Sequence, residues 1–310
     1  MEEKIIIPNG FKVGNYNDEY TGVTVIINES GAVGGCDCRG GAPGTHETDM
    51  LRSEKMMQKI NAIALCGGSA YGLGTIPGIM EYLKEHKIGF STMKKIVPIC
   101  AGACIFDLND KEYHYPTMEY GYKACENASN TPSTGIVGAA TGATVGKIRG
   151  LKYSSKTGLG MATVKVAGIT VTAVVVVNAL GDIIDPFTNS ILAGARDKSK
   201  NFINTEQKLC EGEFAKLFLG TNTTIGCVMT NAKITKVEAN KLATIAHNGL
   251  ARTIRPVHTD YDGDTMFCLS SNKVPVVNFV YLQTAVVSAV EKAIINSTNV
   301  DQEVHFEIDE

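Results

Sequence analysis

Ile169-Thr170-Val171-Thr172-Ala173-Val174-Val175-Val176-Val177, closed by Asn178-Ala179-Leu180-Gly181-Asp182, is the stretch that decides how this chain is built. Side chains in a strand point alternately to opposite faces. From Thr172 to Val177 both faces are apolar, which predicts a strand covered on both sides. The apolar stretch 169–180 is too short to span a bilayer and carries Thr170, Thr172 and Asn178. Working outward, Val-, Ile- and Thr-rich runs predict further strands at 23–27, 63–65, 161–166, 224–229 and 274–281. Helical patterns fall at 49–59, 70–84, 236–254 and 283–295. The third helix opens on Thr235-Lys236-Val237-Glu238, a capping box, and turns Leu242, Ile245, Ala246 and Gly249 to one side. The fourth groups Val286, Val287, Val290 and Ile294. Strands and helices interleave, with hairpin and crossover signals together. The expected class is therefore mixed α and β in packed layers, not a purely parallel wound sheet.

The 310 residues allow one large domain or two ordinary ones. Hydrophobic residues make up 44% and charged residues 20%, as in ordinary globular chains. A net charge of −3 with dispersed basic residues argues against a nucleic-acid or polybasic membrane surface. The start, Met1-Glu2-Glu3-Lys4, is acidic, and Ile5-Ile6-Ile7 stops at Pro8, so no export signal is read and a cytoplasmic location is expected. In that setting the nine cysteines read as reduced thiols. Cys36-Asp37-Cys38 and the Cys100/Cys104 pair lack nearby histidine ligands, so no metal is expected.

The run Gly220-Thr221-Asn222-Thr223-Thr224-Ile225-Gly226 stands where a charged stretch, 208–216, meets an apolar strand. Cutting the Asn222–Thr223 bond would give Thr223 a free α-amine beside its own hydroxyl, a stored nucleophile. The bland alternative is a threonine at a strand entry. Residues 201–222 read as a linker that leaves this bond accessible.

Other motifs fall short of their patterns. Cys66-Gly67-Gly68-Ser69-Ala70-Tyr71-Gly72 resembles a nucleophile elbow, but Tyr71 stands where glycine is required. Ser69 then reads as a helix cap, with Gly68, Ser69 and Tyr71 as possible lining of a substrate cleft. Gly138 to Lys147 misses the phosphate-loop spacing at Thr141 and has Ile148 where Ser or Thr belongs. No dinucleotide fingerprint is present, so no cofactor is expected. His247 reads as a packing or solvated helix residue. Asn178 is either a turn residue or a side-chain amide aimed at a developing oxyanion. Asp260-Tyr261-Asp262-Gly263-Asp264-Thr265 lacks the calcium-loop glutamate and reads in isolation as a turn.

Taken together and in order, several segments resemble the L-aminopeptidase/D-esterase family, which includes the β-aminopeptidases. They include Arg39-Gly40-Gly41-Ala42-Pro43-Gly44-Thr45, Gly67 to Leu73, Gly138 to Gly142, Asn178 to Asp182, Asn222 to Ile225, Ala246 to Arg252 and Asp262 to Thr265. The resemblance implies a four-layer αββα sandwich, similar in layers to N-terminal nucleophile hydrolases but differently connected. It implies one hydrolase domain over 1–310, cut into 1–222 and 223–310. It makes Thr223 the nucleophile, Asn222-Thr223-Thr224 the cleavage segment, and Asn178 the oxyanion donor. Asp262 and Asp264 become polar partners of the nucleophile. The implied substrate is a small peptide, amide or ester, and the implied assembly a homo-oligomer, favouring a tetramer. One departure stands out. β-Aminopeptidases carry an acid after the Val-Pro segment, suited to a substrate amine. Here Cys100-Ala101-Gly102-Ala103-Cys104 has none, leaving Asp107 or Glu119 as substitutes. Two other readings stay open: a hydrolase using Ser69, and a small-molecule-binding module on the same fold that never cuts.

Overall fold

The computed structural model describes residues 4–108, 113–213 and 221–304. Gly220, His305 and the stretch 214–220 of the expected linker lie outside these residues. Nine strands make the main sheet: β1 (Lys12–Asn17), β2 (Gly22–Cys38), β3 (Gly44–His46), β4 (Lys59–Cys66), β5 (Cys100–Cys104), β6 (Gly160–Val166), β7 (Ile169–Asn178), β8 (Thr223–Ala232) and β9 (Thr265–Val274). Their order is β6-β7-β8-β9-β2-β4-β5-β3, with β1 beside β2. The helices are α1 (Ser69–Gly72), α2 (Ile76–Glu85), α3 (Met118–Glu126), α4 (Thr205–Cys210), α5 (Lys236–Thr253) and α6 (Phe279–Asn296).

Two pairs in this sheet are parallel, β4 with β5 and β8 with β9. A parallel pair needs a crossover. α1 and α2 supply it for the first pair, and α5 supplies it for the second. β2 joins the two halves. Its first part pairs with β1 and β4 and its last part with β9, with a register break between Ile27 and Ala32. The sheet therefore folds over on itself.

Burial shows the layers. On β7, Val171, Ala173, Val175 and Val177 pack with Leu242 and Ala246 of α5 and Val286 and Val290 of α6. The alternate residues Val174 and Val176 pack with Ile225, Phe267, Ile26, Ile63 and Leu65, between the two half-sheets. A third cluster sets Val23, Val25 and Ala64 against Ile76, Ile79 and Leu83 of α2. Helices, half-sheet, half-sheet, helices: this is the αββα sandwich. Both faces of β7 are buried, as its composition requires, and each buried valine contributes about 1.5–3 kcal/mol. Where α5 crosses α6, a side chain on Gly249 would come within 2.7 Å of Val290, so only glycine permits that approach.

The capping box on α5 is formed in full, with Thr235 and Glu238 each accepting the other's backbone N–H. Four sequence expectations are corrected. Residues 49–59 hold only a single 3₁₀ turn, Asp49–Leu51. Their carbonyls are taken by α5 instead: Lys236 Nζ donates to Met50, Lys55 and Met57, and Asn240 Nδ2 to Leu51. Of 274–281 only Val274 is in a strand, as the last residue of β9: Pro275 interrupts the chain, and Asn278 caps α6 through the Val280 amide. The expected linker 201–222 contains α4, whose first residue Thr205 donates twice to the buried Asp182 carboxylate. Asn222 and Thr223 are 1% and 3% exposed, so the bond between them is not accessible. No helix among the described residues is long and apolar enough to cross a membrane. All nine cysteines are free thiols.

Candidate active site

Thr223 is the first residue of β8 and lies directly opposite Asn178, the last residue of β7. Val176 and Ile225 face the space between the half-sheets. Two residues after Val176 and two before Ile225, Asn178 and Thr223 continue that face. The site is thus the polar end of the inner core, built where two apolar strands run out.

Thr223 Oγ1 donates to the carbonyl oxygen of Asn222, the residue just before it. That oxygen also accepts the Gly263 N–H at 2.9 Å. A side chain at 263 would sit 2.6 Å from the Ala42 carbonyl and 2.8 Å from Thr223 Oγ1. Glycine is required there for the backbone amide to reach the carbonyl.

Asn178 is fully engaged. Its Nδ2 donates to Phe106 O at 2.8 Å and Thr221 O at 3.3 Å. Its Oδ1 accepts the Thr144 amide at 3.1 Å and Lys147 Nζ at 2.7 Å. Lys147 Nζ also donates to Asn178 O at 3.0 Å and Thr221 O at 3.2 Å. Burial depresses the Lys147 amine from 10.5 to about 7, against the opposing pull of the Asp262 and Asp107 carboxylates. Charge is costly in a buried site, so the neutral amine is populated near neutral pH. Sequence reasoning met Lys147 only as the lysine of a failed phosphate loop. The overlooked signal is a lone cation inside 143–148, a run otherwise of small and apolar residues.

The two aspartates do not touch Thr223 Oγ1 in any described hydrogen bond; they hold the backbone around it. Asp262 Oδ1 accepts the Leu180 amide at 3.3 Å, fixing the chain after β7, and Oδ2 accepts the Thr259 hydroxyl at 2.5 Å. Burial, reinforced by the nearby Asp264 charge, lifts the Asp262 carboxyl to about 6. Asp264 Oδ1 accepts the Thr224 amide at 2.6 Å, and Oδ2 accepts His258 Nδ1 at 2.8 Å.

The turn at Gly68-Ser69-Tyr71 adjoins this centre through residues 105–107. Ser69 N donates to Ile105 O, Gly68 N to Asp107 Oδ1 at 2.5 Å, and Asn178 Nδ2 to Phe106 O. Ser69 is not the helix cap; Gly68 is, at φ 77°. Among the described residues no histidine or other base pairs with the Ser69 hydroxyl. Tyr71 is 56% exposed and stacks on Tyr115, with ring centroids 4.9 Å apart. The acid-free segment at 100–104 is the buried strand β5. Glu119 is spent on an exposed ion pair with Lys123. Asp107 is buried, its carboxyl pushed up to about 7 by burial, and it accepts from Thr21 and Gly68. His247 is buried, a packing residue and not a solvated one. A cavity of about 470 Å³ elsewhere, lined by Met57, Lys59, Asn61 and Phe90, contains none of these groups.

A model of peptidase family S58 matches residues 8–307. The chain belongs to peptidase family S58. It is a hydrolase. This S58 chain is 41% identical over 267 residues to an uncharacterized aminopeptidase of Mycobacterium leprae, covering 82% of this chain and 71% of the relative. It is 30% identical over 277 residues to the 6-aminohexanoate-oligomer endohydrolase of Paenarthrobacter ureafaciens, covering 86% and 74%. The solved L-aminopeptidase D-Ala-esterase/amidase of Ochrobactrum anthropi, a variant of the Ntn hydrolase fold, superposes with a TM-score of 0.68. That match covers 96% of this chain and 87% of the other at 16% identity, and it speaks for the fold alone.

Proposed function

We propose that this S58 peptidase cuts itself between Asn222 and Thr223, and that the exposed N-terminal Thr223 is the nucleophile of the mature amidase. One observation carries the reading: the Thr223 hydroxyl lies on its own preceding carbonyl, whose oxygen is already held by the Gly263 amide. The oxygen of Thr223 bonds to the Asn222 carbonyl carbon as its proton passes to a base. The carbonyl oxygen becomes anionic against the Gly263 N–H. The C–N bond breaks, the Thr223 nitrogen takes a proton, and water hydrolyses the resulting ester. Lys147, whose amine loses its charge through about pH 7, is the base we assign. The products are chains 1–222 and 223–310. The buried bond supports an intramolecular cut over one by an outside protease.

Cleavage also changes Asn178. In the uncut chain its Nδ2 is shared with Thr221 O. Departure of the Thr221-Asn222 end would free that donor for the oxyanion of a substrate. The new α-amine, with an ordinary pKa of about 7.7–8.0, adds a base beside the hydroxyl. The substrate we assign is a small amide or oligo-amide. The aminopeptidase relatives point to amino-terminal substrates. The buried, acid-free β5 and the engagement of Asp107 and Glu119 favour a second reading, attack within an oligo-amide, as the name of the endohydrolase relative says. Comparing turnover of one oligo-amide with free and with acetylated amino ends separates the two. We further assign a homo-oligomer, of tetrameric size, which sedimentation reads directly.

The test of the central claim is intact-mass measurement during incubation of the purified chain. A fragment beginning at Thr223 is expected, and T223A should stay whole and inactive. Amide hydrolysis by a chain that remains uncut would overturn the proposal.

A further inference from the structure

Two histidines stand on the far side of Asp264, and the chemistry above uses neither. His258 Nδ1 donates to Asp264 Oδ2 at 2.8 Å, and the His258 backbone N–H donates to the same oxygen at 3.0 Å. The other oxygen, Oδ1, accepts the Thr224 amide at 2.6 Å, the first amide after the nucleophile. A single carboxylate thus ties His258 to the backbone that carries Thr223.

The backbone at His258 is itself unusual. Its φ is 58°, in the left-handed region that favours glycine and asparagine. Other residues are strained there, and such strain persists where the surroundings over-determine it. Here Asp264 Oδ2 holds both the His258 backbone N–H and its ring. The imidazole of His247, fully buried on α5, stands edge-on to it, with centroids 4.8 Å apart and planes at 67°. His247 Nε2 lies 3.0 Å from the Asp37 carbonyl, which only accepts, so that nitrogen carries the hydrogen. Burial holds the His247 pKa down to about 4, despite the Asp37 carbonyl, so the ring is a neutral wall. Among the described residues, the acids that act on the two rings are Asp264 from the loop before β9 and Asp37 from β2. His258 Nε2 is buried and has no partner among the described residues. The ring is therefore aimed through Nδ1 alone.

We propose that His258, backed by His247, is a positioning residue of the Thr223 centre. Its Nδ1–H fixes the rotamer of Asp264, and Asp264 fixes the Thr223–Thr224 amide and with it the approach of Thr223 Oγ1 to the carbonyl it attacks. The proposal rests on the Thr223 reading.

The test compares H258N, H258G and H258A by the first-order rate of conversion of the full chain into 1–222 and 223–310, with thermal unfolding measured alongside. Asparagine and glycine tolerate positive φ, so the backbone keeps its course, and alanine tests the same site with a Cβ. The asparagine amide places a donor near the position of Nδ1; glycine and alanine place none. Misplacing a reacting group by about 1 Å costs about 10²-fold. H258G and H258A are expected to slow cleavage about 10- to 100-fold, and H258N to recover to within about 5-fold of the parent on the same argument. If glycine weakens the fold, alanine still supplies the donorless comparison. Parental rates in the donorless variants, or an asparagine variant as slow as they are at equal stability, would overturn the proposal. T223A run in parallel separates the two claims. A T223A chain that still cuts at 222/223 overturns the Thr223 reading itself. An uncut T223A beside fast donorless His258 variants overturns only the role of His258.

Discussion

Replacing Lys147 with methionine should separate catalysis from stability in this chain. The substitution keeps the length and most of the volume of the side chain while removing its charge and its donors. Two of its three acceptors keep a partner: Asn178 Oδ1 keeps the Thr144 amide, and Thr221 O keeps Asn178 Nδ2, while Asn178 O loses the Lys147 bond. Burial takes the amine from 10.5 to about 7. At about 1.4 kcal/mol per pH unit, the charged amine is disfavoured in the folded chain by about 5 kcal/mol. The sign follows from proton binding. Between pH 7 and 10.5 the unfolded chain keeps this proton and the folded chain releases it, so this group makes stability rise with pH across that window. Below pH 7 both states are protonated, and the penalty is present in full. K147M removes the penalty and three hydrogen bonds together, so its thermal midpoint should be no lower than that of the parent near pH 7. Its self-cleavage should nevertheless slow by about 10²–10⁴-fold, the usual contribution of a positioned base. The assay is intact-mass sampling of freshly purified chain across pH 5 to 9, with unfolding followed in the same buffers. The parent rate should climb through about pH 7 as Lys147 loses its proton. A K147M chain that cuts at the parental rate would remove Lys147 from the role of base, as would a parent rate flat across neutral pH.

G263A places a methyl 2.6 Å from Ala42 O and 2.8 Å from Thr223 Oγ1, so it should nearly abolish cleavage and cost about 1–3 kcal/mol by overpacking, read by chemical denaturation. N178A, prepared in already cleaved protein by co-expressing 1–222 and 223–310, should lose about 10²–10³-fold in turnover of an amide substrate; parental turnover would remove Asn178 from the oxyanion role. Cys38 is exposed, and its thiol is lowered to about 7 by the hydrogen bond with Cys36, whereas burial pushes Cys66, Cys100 and Cys268 up to about 12. Iodoacetamide at pH 7.5 should therefore label Cys38 and the exposed Cys210 in the folded chain, and the buried three only after unfolding, as peptide mapping can show. L242A, which empties a fully buried position under α5, should cost about 2–5 kcal/mol without changing the cleavage rate of the fraction that stays folded.

Features that depend on neighbours along the chain were legible in one dimension. Two-sided apolarity made β7 a buried strand, Thr235 and Glu238 opened α5, and the polar ends of two apolar runs marked Asn178 and Thr223. The ordered motifs carried the family and its sandwich. Tertiary structure decided what depends on residues far apart. The helical pattern at 49–59 lost its hydrogen bonds to Lys236 and Asn240, which lie 179 to 189 positions away and compete for the same carbonyls. Asp262 and Asp264, expected as partners of the nucleophile, bind the Leu180 and Thr224 amides and not the Thr223 hydroxyl, because the fold brings the chain after β7 and the start of β8 to the loop that carries them. Lys147 had no pattern to announce it. Its depressed pKa arises from burial among strands that meet only after the sheet curls, and a lysine in a one-dimensional string carries no sign of how much water it will lose.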